Sequence, residues 1–468
     1  MAVDGPLVAA VGPHESVSAR YREAERLRLD GTVLLPGLIN AHQHGRGLSQ
    51  IQLGFADLPL ERWINARRRR GAPDGAAFTK LAAAQMIAHG VTATVHANYA
   101  YGTGDYEAEV RGQINAYVEA GLRVTFCVGA QDRGFVVYPP FTLDDLGPLP
   151  APARRMAAGA TSPYAPDAAS LITLMDRLLA DYEGHPLVTL CWGPAGPQWV
   201  SDDLWRAIGA HAMGRGIGIH LHCLESPTQA KVCRELYPEG TLRHLDRLGV
   251  LGPSTVLAHA VHVTAEDVLV AASTGVTVVH NPGSNLRLAN GIAPVGALVA
   301  AGVPVALGTD NTALDDDEDL LGELKLMAAL ARTPPDPHWL DAGTLLAAAT
   351  CHGARAMQHA GTLGRIAPGL AADLTAVALA PARGAYCDPD TGIAEAIVSR
   401  TKGTDVRFVM TAGRVLWRDG RHVDLDLAAI EQAAADVAKA ERLSKNPDAQ
   451  EATAALDAAL GALYGNGP

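Results

Sequence analysis

Short apolar runs of β character alternate with longer amphipathic stretches from about residue 33 to 350, the βαβα rhythm of a parallel sheet. The runs are Thr32 to Leu38, Val91 to Val95, Arg123 to Val128, Leu187 to Cys191, Gly216 to Leu221, Thr255 to Ala258, Val276 to Val279 and Val303 to Leu307. Eight strands are what a closed (β/α)8 barrel of TIM type needs. Between them, Ala76 to His89, Tyr106 to Ala120 and Leu204 to Gly214 carry apolar residues at i, i+3 and i+4, which predicts helices packed on the outside of the strands.

Both flanks have another pattern. The first 30 residues and the segment from about Thr362 to Val423 alternate apolar and polar residues between glycine turns, which predicts a small split β-sandwich built from both chain ends. The expected organisation is a discontinuous sandwich over 1–34 and 361–425, a barrel over 35–360, and surface helices over 426–468 that pack on a neighbour or a subunit. The stretch Asp132 to Ala169 is rich in Pro, Gly and Ala and long for a plain connection, so an active-site lid and a surface loop are both open there.

Composition narrows the function. Fifty acidic against 38 basic side chains give a net charge of −12, and no basic stripe runs along a predicted helix, which argues against nucleic acid as a partner. No apolar stretch approaches the roughly 20 residues of a bilayer span, and the first residues lack a basic leader region. A cytoplasmic, homo-oligomeric protein acting on a small molecule, with no membrane contact, is the expectation. The six cysteines are scattered without a CxxC pair, the usage of a reducing compartment rather than of a disulfide framework or a thiolate zinc site.

Polar residues at the C-terminal ends of barrel strands converge on one site, and that is where the histidines fall. The first strand leads into PGLINAHQHGRG with His42 and His44, the fifth into HLHCLES with His220 and His222, the sixth into AHAVH with His259 and His262, the seventh into HNPGSN with His280, and the eighth into GTDN with Asp310. Three neutral imidazoles and a carboxylate suit one divalent zinc or iron ion with a position left open for water. Strand alternation puts His220 and His222 on one face and does not choose between them.

The stretches PGLINAHQHGRG, HLHCLES, AHAVH, HNPGSNLRLANGIAP and GTDN resemble the amidohydrolase superfamily, in particular its branch of cytosine deaminase, guanine deaminase and chlorotriazine hydrolase. The resemblance covers about residues 5 to 425. It implies a metal held by His42, His44, His222 and Asp310, with Glu225 as proton shuttle, His259 on the attacking water or substrate, and His280 on the leaving or carbonyl side. The family spacing of a ligand histidine three residues before the catalytic glutamate selects His222, which leaves His220 as a supporting or packing residue. Members with two metals use a bridging lysine on the fourth strand, but this chain has no lysine between Lys80 and Lys231. Cys191 and Gln198 are the conceivable substitutes there, so one metal is expected, zinc first, with iron, cobalt or manganese as alternatives.

Three further residues enter as substrate contacts: His96 at the end of the second strand, Arg46 two residues past His44, and Gln198. The acidic run from Asp315 to Asp319 is read as a helix start. Few aromatic residues are expected around the substrate. The resulting expectation is a metal-dependent hydrolase of a C–N bond at an sp² carbon, foremost a deaminase of a small nitrogen-rich heterocycle. Hydrolysis of N-substituted ureas, carbamates or amides, as in the molinate and phenylurea hydrolases, is the alternative, and a non-catalytic scaffold the remote one.

Overall fold

The computed structural model describes residues 1–67, 74–100, 102–311, 315–333, 337–443 and 447–465. Eight parallel strands stand in sequential order: β1 Leu38–Gln43, β2 Val91–Ala97, β3 Arg123–Ala130, β4 Val188–Pro194, β5 Ile219–Cys223, β6 Thr255–His259, β7 Thr277–His280 and β8 Val305–Leu307. The barrel closes just above the last strand, where Gln43 pairs in parallel with Asp310 and the Asp310 N–H donates to the His42 carbonyl at 2.9 Å. The expected barrel is therefore present.

The run Thr32 to Leu38 is two elements rather than one strand. Thr32–Pro36 pairs antiparallel with Leu374–Ala378 in a five-stranded sheet that continues through Val406–Thr411, Arg414–Arg418 and Arg421–His422, and the barrel strand begins only at Leu38. Gly37 makes the crossing, because a Cβ there would lie 2.0 Å from Thr92 Oγ1 and any larger residue would force the two layers apart. A hairpin of Ala2–Asp4 and Leu7–Ala10 lays Val8 on this sheet against Leu374, Phe408 and Met410.

Helices surround the barrel, and their ends follow the local sequence. Asp105 accepts from the Ala108 N–H at the start of Tyr106–Ala120, and Gly121 ends that helix with φ 79°, the left-handed position that suits glycine. Inside the barrel, Ile39, Ala93, Val95, Cys127 and Cys191 form an apolar floor over Ala354 and Met357. The barrel interior below the strands' C-terminal mouth is thus filled by packed side chains.

The two C-terminal helices pack on the same chain. Leu427–Leu443 sets Ile430 and Ala434 against Phe78, Leu81 and Ala84. Pro447–Tyr464 sets Leu456 and Leu460 against Val137, Leu146 and Ala157. Among the described residues, no helix is long and apolar enough to cross a membrane.

Candidate active site

The ends of β1, β5 and β8 bring four side chains together. His44 Nε2 lies 3.0 Å from Asp310 Oδ1 and 3.5 Å from His222 Nε2, and His42 Nε2 lies 3.4 Å from the same carboxylate oxygen. The second nitrogen of each ring is fixed from behind. His44 Nδ1–H donates to the Ala97 carbonyl at 2.6 Å, His222 Nδ1–H to the Ala195 carbonyl at 2.9 Å, and His42 Nδ1 faces His220 Nε2 at 2.8 Å. Such partners set the tautomer, so the Nε2 lone pairs turn toward a common centre.

Electrostatics agree with that geometry. Burial holds His42 and His222 well below the ordinary imidazole value, and neighbouring histidines add to the effect at His222. Both rings are therefore neutral and can accept a cation. Burial pushes the Asp310 carboxyl up, but the His42, His44 and His259 rings around it outweigh that effect and hold it well below the ordinary carboxylate value. His42 Nε2 is buried with no hydrogen-bond partner among the described residues. Three imidazoles, one carboxylate and an orphaned ring nitrogen fit a divalent metal ion of the zinc type.

Glu225 and His259 stand beside this cluster. Glu225 Oε1 accepts from Asn290 Nδ2 at 2.9 Å and lies 3.8 Å from His259 Nδ1, while that Nδ1 is 2.9 Å from Asn285 Oδ1. Burial pushes the Glu225 carboxyl up to about 7, a value suited to a group that takes and returns a proton near neutrality. His259 and Asp310 both hold left-handed backbone, with φ 73° and 55°. Non-glycine residues adopt it only where the surroundings enforce it, as at functional sites.

A cavity of about 320 Å³ opens above these groups. Its lining includes His44, His222, Glu225, His259 and Asp310, and its walls carry Trp63, Tyr99, Phe135, Tyr164 and Trp199. The expectation of few aromatic residues is thus corrected. The rings arrive on loops and a short helix that no strand pattern marks.

Residues 33–416 match the model of the amidohydrolase family. The chain belongs to the amidohydrolase family. A 5-methylthioadenosine/S-adenosylhomocysteine deaminase of Nitratidesulfovibrio vulgaris is 32% identical over 443 residues, 93% of this chain and 91% of that protein. A 5′-deoxyadenosine deaminase of Methanothermobacter thermautotrophicus is 31% identical over 404 residues, 84% of each chain. Among solved structures, an adenosine deaminase from Xanthomonas campestris with bound zinc has a TM-score of 0.79 at 27% identity, over 94% of this chain and 93% of that one. The chain is a hydrolase of this family, acting on a small molecule.

In this amidohydrolase the histidines named from the sequence separate into two groups. His44, His220, His222 and His259 line the cavity with His42 packed just behind them, whereas His96, His280 and Gln198 do not line it. His96 points into the barrel wall, where its Nδ1 meets Tyr117 Oη at 2.8 Å and its ring stacks on Phe126 at 4.5 Å. His280 is buried at the end of β7 with neither ring nitrogen bonded among the described residues. Gln198 lies on the 3₁₀ turn Pro197–Trp199, buried, with Cys233 Sγ at 3.9 Å. Packing thus engages His96 and Gln198 away from the cavity.

Arg46 does line the cavity, with its guanidinium 5.1 Å from the Tyr99 ring and 5.7 Å from the Trp63 ring. Cys191 sits in the barrel floor with its sulfur 3.1 Å from Cys127 Sγ, which removes it as a bridging ligand. Asp319 caps helix Leu320–Leu330 through the Leu321 and Gly322 N–H groups, the helix start read from the acidic run. The segment 132–169 supplies Phe135, Thr161 and Tyr164 to the cavity wall.

Sequence reasoning missed the supporting residues. Ser284 donates to Asp310 Oδ2, Asn285 fixes His259, and Asn290 fixes Glu225. His262, the second histidine of AHAVH, donates from Nε2 to the Asn290 carbonyl at 2.7 Å. All three supporting residues lie in HNPGSNLRLAN, so the signal was the dense run of Asn and Ser just past a strand end.

Proposed function

We propose that this amidohydrolase is an aminohydrolase that releases ammonia from an adenine-type heterocycle, with one divalent cation, zinc first, held by His42, His44, His222 and Asp310. The observation that carries the reading is the meeting of the His42, His44 and His222 imidazoles with the Asp310 carboxylate at the floor of a cavity that Glu225 also lines. The deaminase names of the two relatives and of the solved neighbour support ammonia as the leaving group and an adenine-type ring as substrate.

A divalent cation bound there supplies Lewis acidity that makes an attacking water acidic near neutral pH. Glu225 Oε1 is engaged by Asn290, which leaves Oε2 to take a proton from that water and return it to the departing nitrogen. His259, whose Nδ1–H donates to Asn285 Oδ1, presents its Nε2 lone pair to accept a hydrogen bond from the attacking water. The aromatic walls hold a flat ring by stacking and keep bulk water out. Arg46, held against Tyr99 and Trp63, offers its guanidinium to an oxygen or ring nitrogen of the substrate.

The test is turnover of a panel by the zinc-loaded protein: adenosine, 5′-deoxyadenosine, 5-methylthioadenosine, S-adenosylhomocysteine, guanine and cytosine, beside aryl ureas and carbamates. Ammonia release with an intact ring that has gained one oxygen in place of the amino nitrogen is the expected result. Cleavage of ureas or carbamates into two fragments, with every amino-heterocycle untouched, would overturn it.

A further inference from the structure

Glu61 is a buried carboxyl outside the reaction described so far. It lies on helix Leu60–Arg67 and is 6% exposed. Burying an acid is unfavourable, and a leucine or methionine would fill the same space without that cost. The residue is not explained by packing alone.

Its partner leads to the site. Ser226 Oγ–H donates to Glu61 Oε1 at 2.5 Å, and the same Ser226 Oγ accepts from the Gln229 N–H at 3.0 Å. Gln229 Oε1 in turn accepts from the Glu225 N–H at 3.0 Å. The turn enclosed by these bonds is strained, since Leu224 stands at φ 48°, and such backbone persists only where its surroundings fix it. The Leu224 carbonyl is tied on its other side to the His262 N–H at 3.0 Å.

Helix Leu60–Arg67 is a firm base for this contact. Arg62 pairs with Asp457 at 2.9 Å and Asn65 Nδ2 donates to the Thr453 carbonyl at 3.2 Å, both on the C-terminal helix. The polar groups facing Glu61 come from three elements: Ser226 and Thr228 from the turn after β5, Tyr138 from the segment after β3, and Tyr464 from the C-terminal helix. Glu225 is the neighbouring acid.

We propose that Glu61 is a positioning residue for the hydrolytic reaction, holding through Ser226 the turn that aims the Glu225 carboxyl into the cavity. The proposal rests on the reading of Glu225 as proton shuttle. Glu61→Gln keeps an oxygen that accepts from Ser226, whereas Glu61→Ala and Ser226→Ala remove the contact from either end.

The experiment combines crystal structures of the zinc-loaded variants with kinetics on 5′-deoxyadenosine. In Glu61→Ala the Glu225 carboxyl is expected to leave hydrogen-bond distance of Asn290, and kcat to fall about 10-fold or more with KM little changed, as small misplacements of a reacting group do. Glu61→Gln should restore both, and Ser226→Ala should repeat the loss even if Glu61→Ala fails to fold. A Glu225 carboxyl unmoved in Glu61→Ala or Ser226→Ala would overturn the proposal by itself. A displaced carboxyl with unchanged turnover would instead overturn the shuttle reading of Glu225, and with it any part of Glu61 in the reaction.

Discussion

His220 Nε2 lies 2.8 Å from His42 Nδ1, and the two rings meet edge to edge with centroids 5.0 Å apart and planes 7° from parallel. The paired histidines of β5 thus have different neighbours. His222 turns its Nε2 toward His44, whereas His220 is occupied with orienting His42 from across the barrel mouth. Burial holds His220 at about 3, so its ring is neutral and Nε2 can accept the His42 Nδ1 proton. His42 Nε2 then keeps its lone pair for a cation.

Metal content distinguishes the two roles. His222→Ala is expected to lose most bound zinc after dialysis, while His220→Ala retains it with affinity reduced by about 10- to 100-fold, the usual effect of removing a supporting partner. Competition with a chromogenic chelator measures both. Full metal in His222→Ala together with an empty His220→Ala protein would reverse the assignment.

Replacing Glu225 by Gln preserves shape and removes the proton carrier. Turnover of 5′-deoxyadenosine is expected to fall by about 10²-fold or more, with zinc content and melting temperature unchanged. In the wild-type protein the ionised carboxylate takes the first proton, so activity should fall on the acid side. Burial pushes Glu225 up to about 7, while a bound cation favours the ionised form. The acid limb of the kcat profile should therefore lie at or somewhat below 7. Activity in Glu225→Gln within about threefold of wild type would remove the residue from the reaction.

The barrel was legible because each strand is a short apolar run set off by a helix of different period, and because ligand-type residues recur at the strand ends. Periodicity could not divide Thr32 to Leu38, since strands of two different sheets meet there in one apolar run and only the close approach at Gly37 to Thr92 separates them. It could not orient His96 either, as position at a strand end does not say whether a ring faces the mouth or stacks on Phe126 in the wall. The aromatic walls were hidden for another reason. Tyr99, Phe135, Tyr164 and Trp199 come from four places on connections and turns, and only tertiary packing brings them to one cavity. The C-terminal helices show the same limit, because their composition predicts helix but not which face of the chain they cover.

The acidic run before helix Leu320–Leu330 contains one group that its composition conceals. Glu318 is buried and bonded to Thr309 Oγ1 and Asn40 Nδ2, and burial pushes it up to about 8. The folded chain thus holds this proton to higher pH than the unfolded chain, whose carboxyl releases it near 4.5. A raised acid contributes stability that is fully present below the unfolded value and is lost as pH rises toward the folded one. Wild-type stability should decline between about pH 5 and 8 relative to Glu318→Gln, which has no proton to lose. Parallel melting curves across that range test it, and a wild-type to variant difference independent of pH would refute it.

The last prediction concerns the wall that the C-terminal helix builds. Leu456 is fully buried and packs with Leu460 against Val137, Leu146 and Ala157, in the segment that also carries Phe135 and Tyr164 to the cavity. Tyr464 adds to the same anchor, accepting from the Tyr138 N–H at 2.8 Å and stacking on its ring at 5.6 Å. Leu456→Ala should lower stability by about 2–5 kcal/mol, the range for a large core residue truncated where neighbours cannot collapse. The groups proposed to move protons sit on strand ends and the turn after β5, and the Arg62–Asp457 and Asn65–Thr453 contacts that anchor helix Leu60–Arg67 are kept, so the wall should loosen while Glu225 stays in place. A KM several-fold higher with kcat nearly unchanged is the expected signature. If kcat fell and KM held, the helix would be acting on the reacting groups and not on the substrate wall.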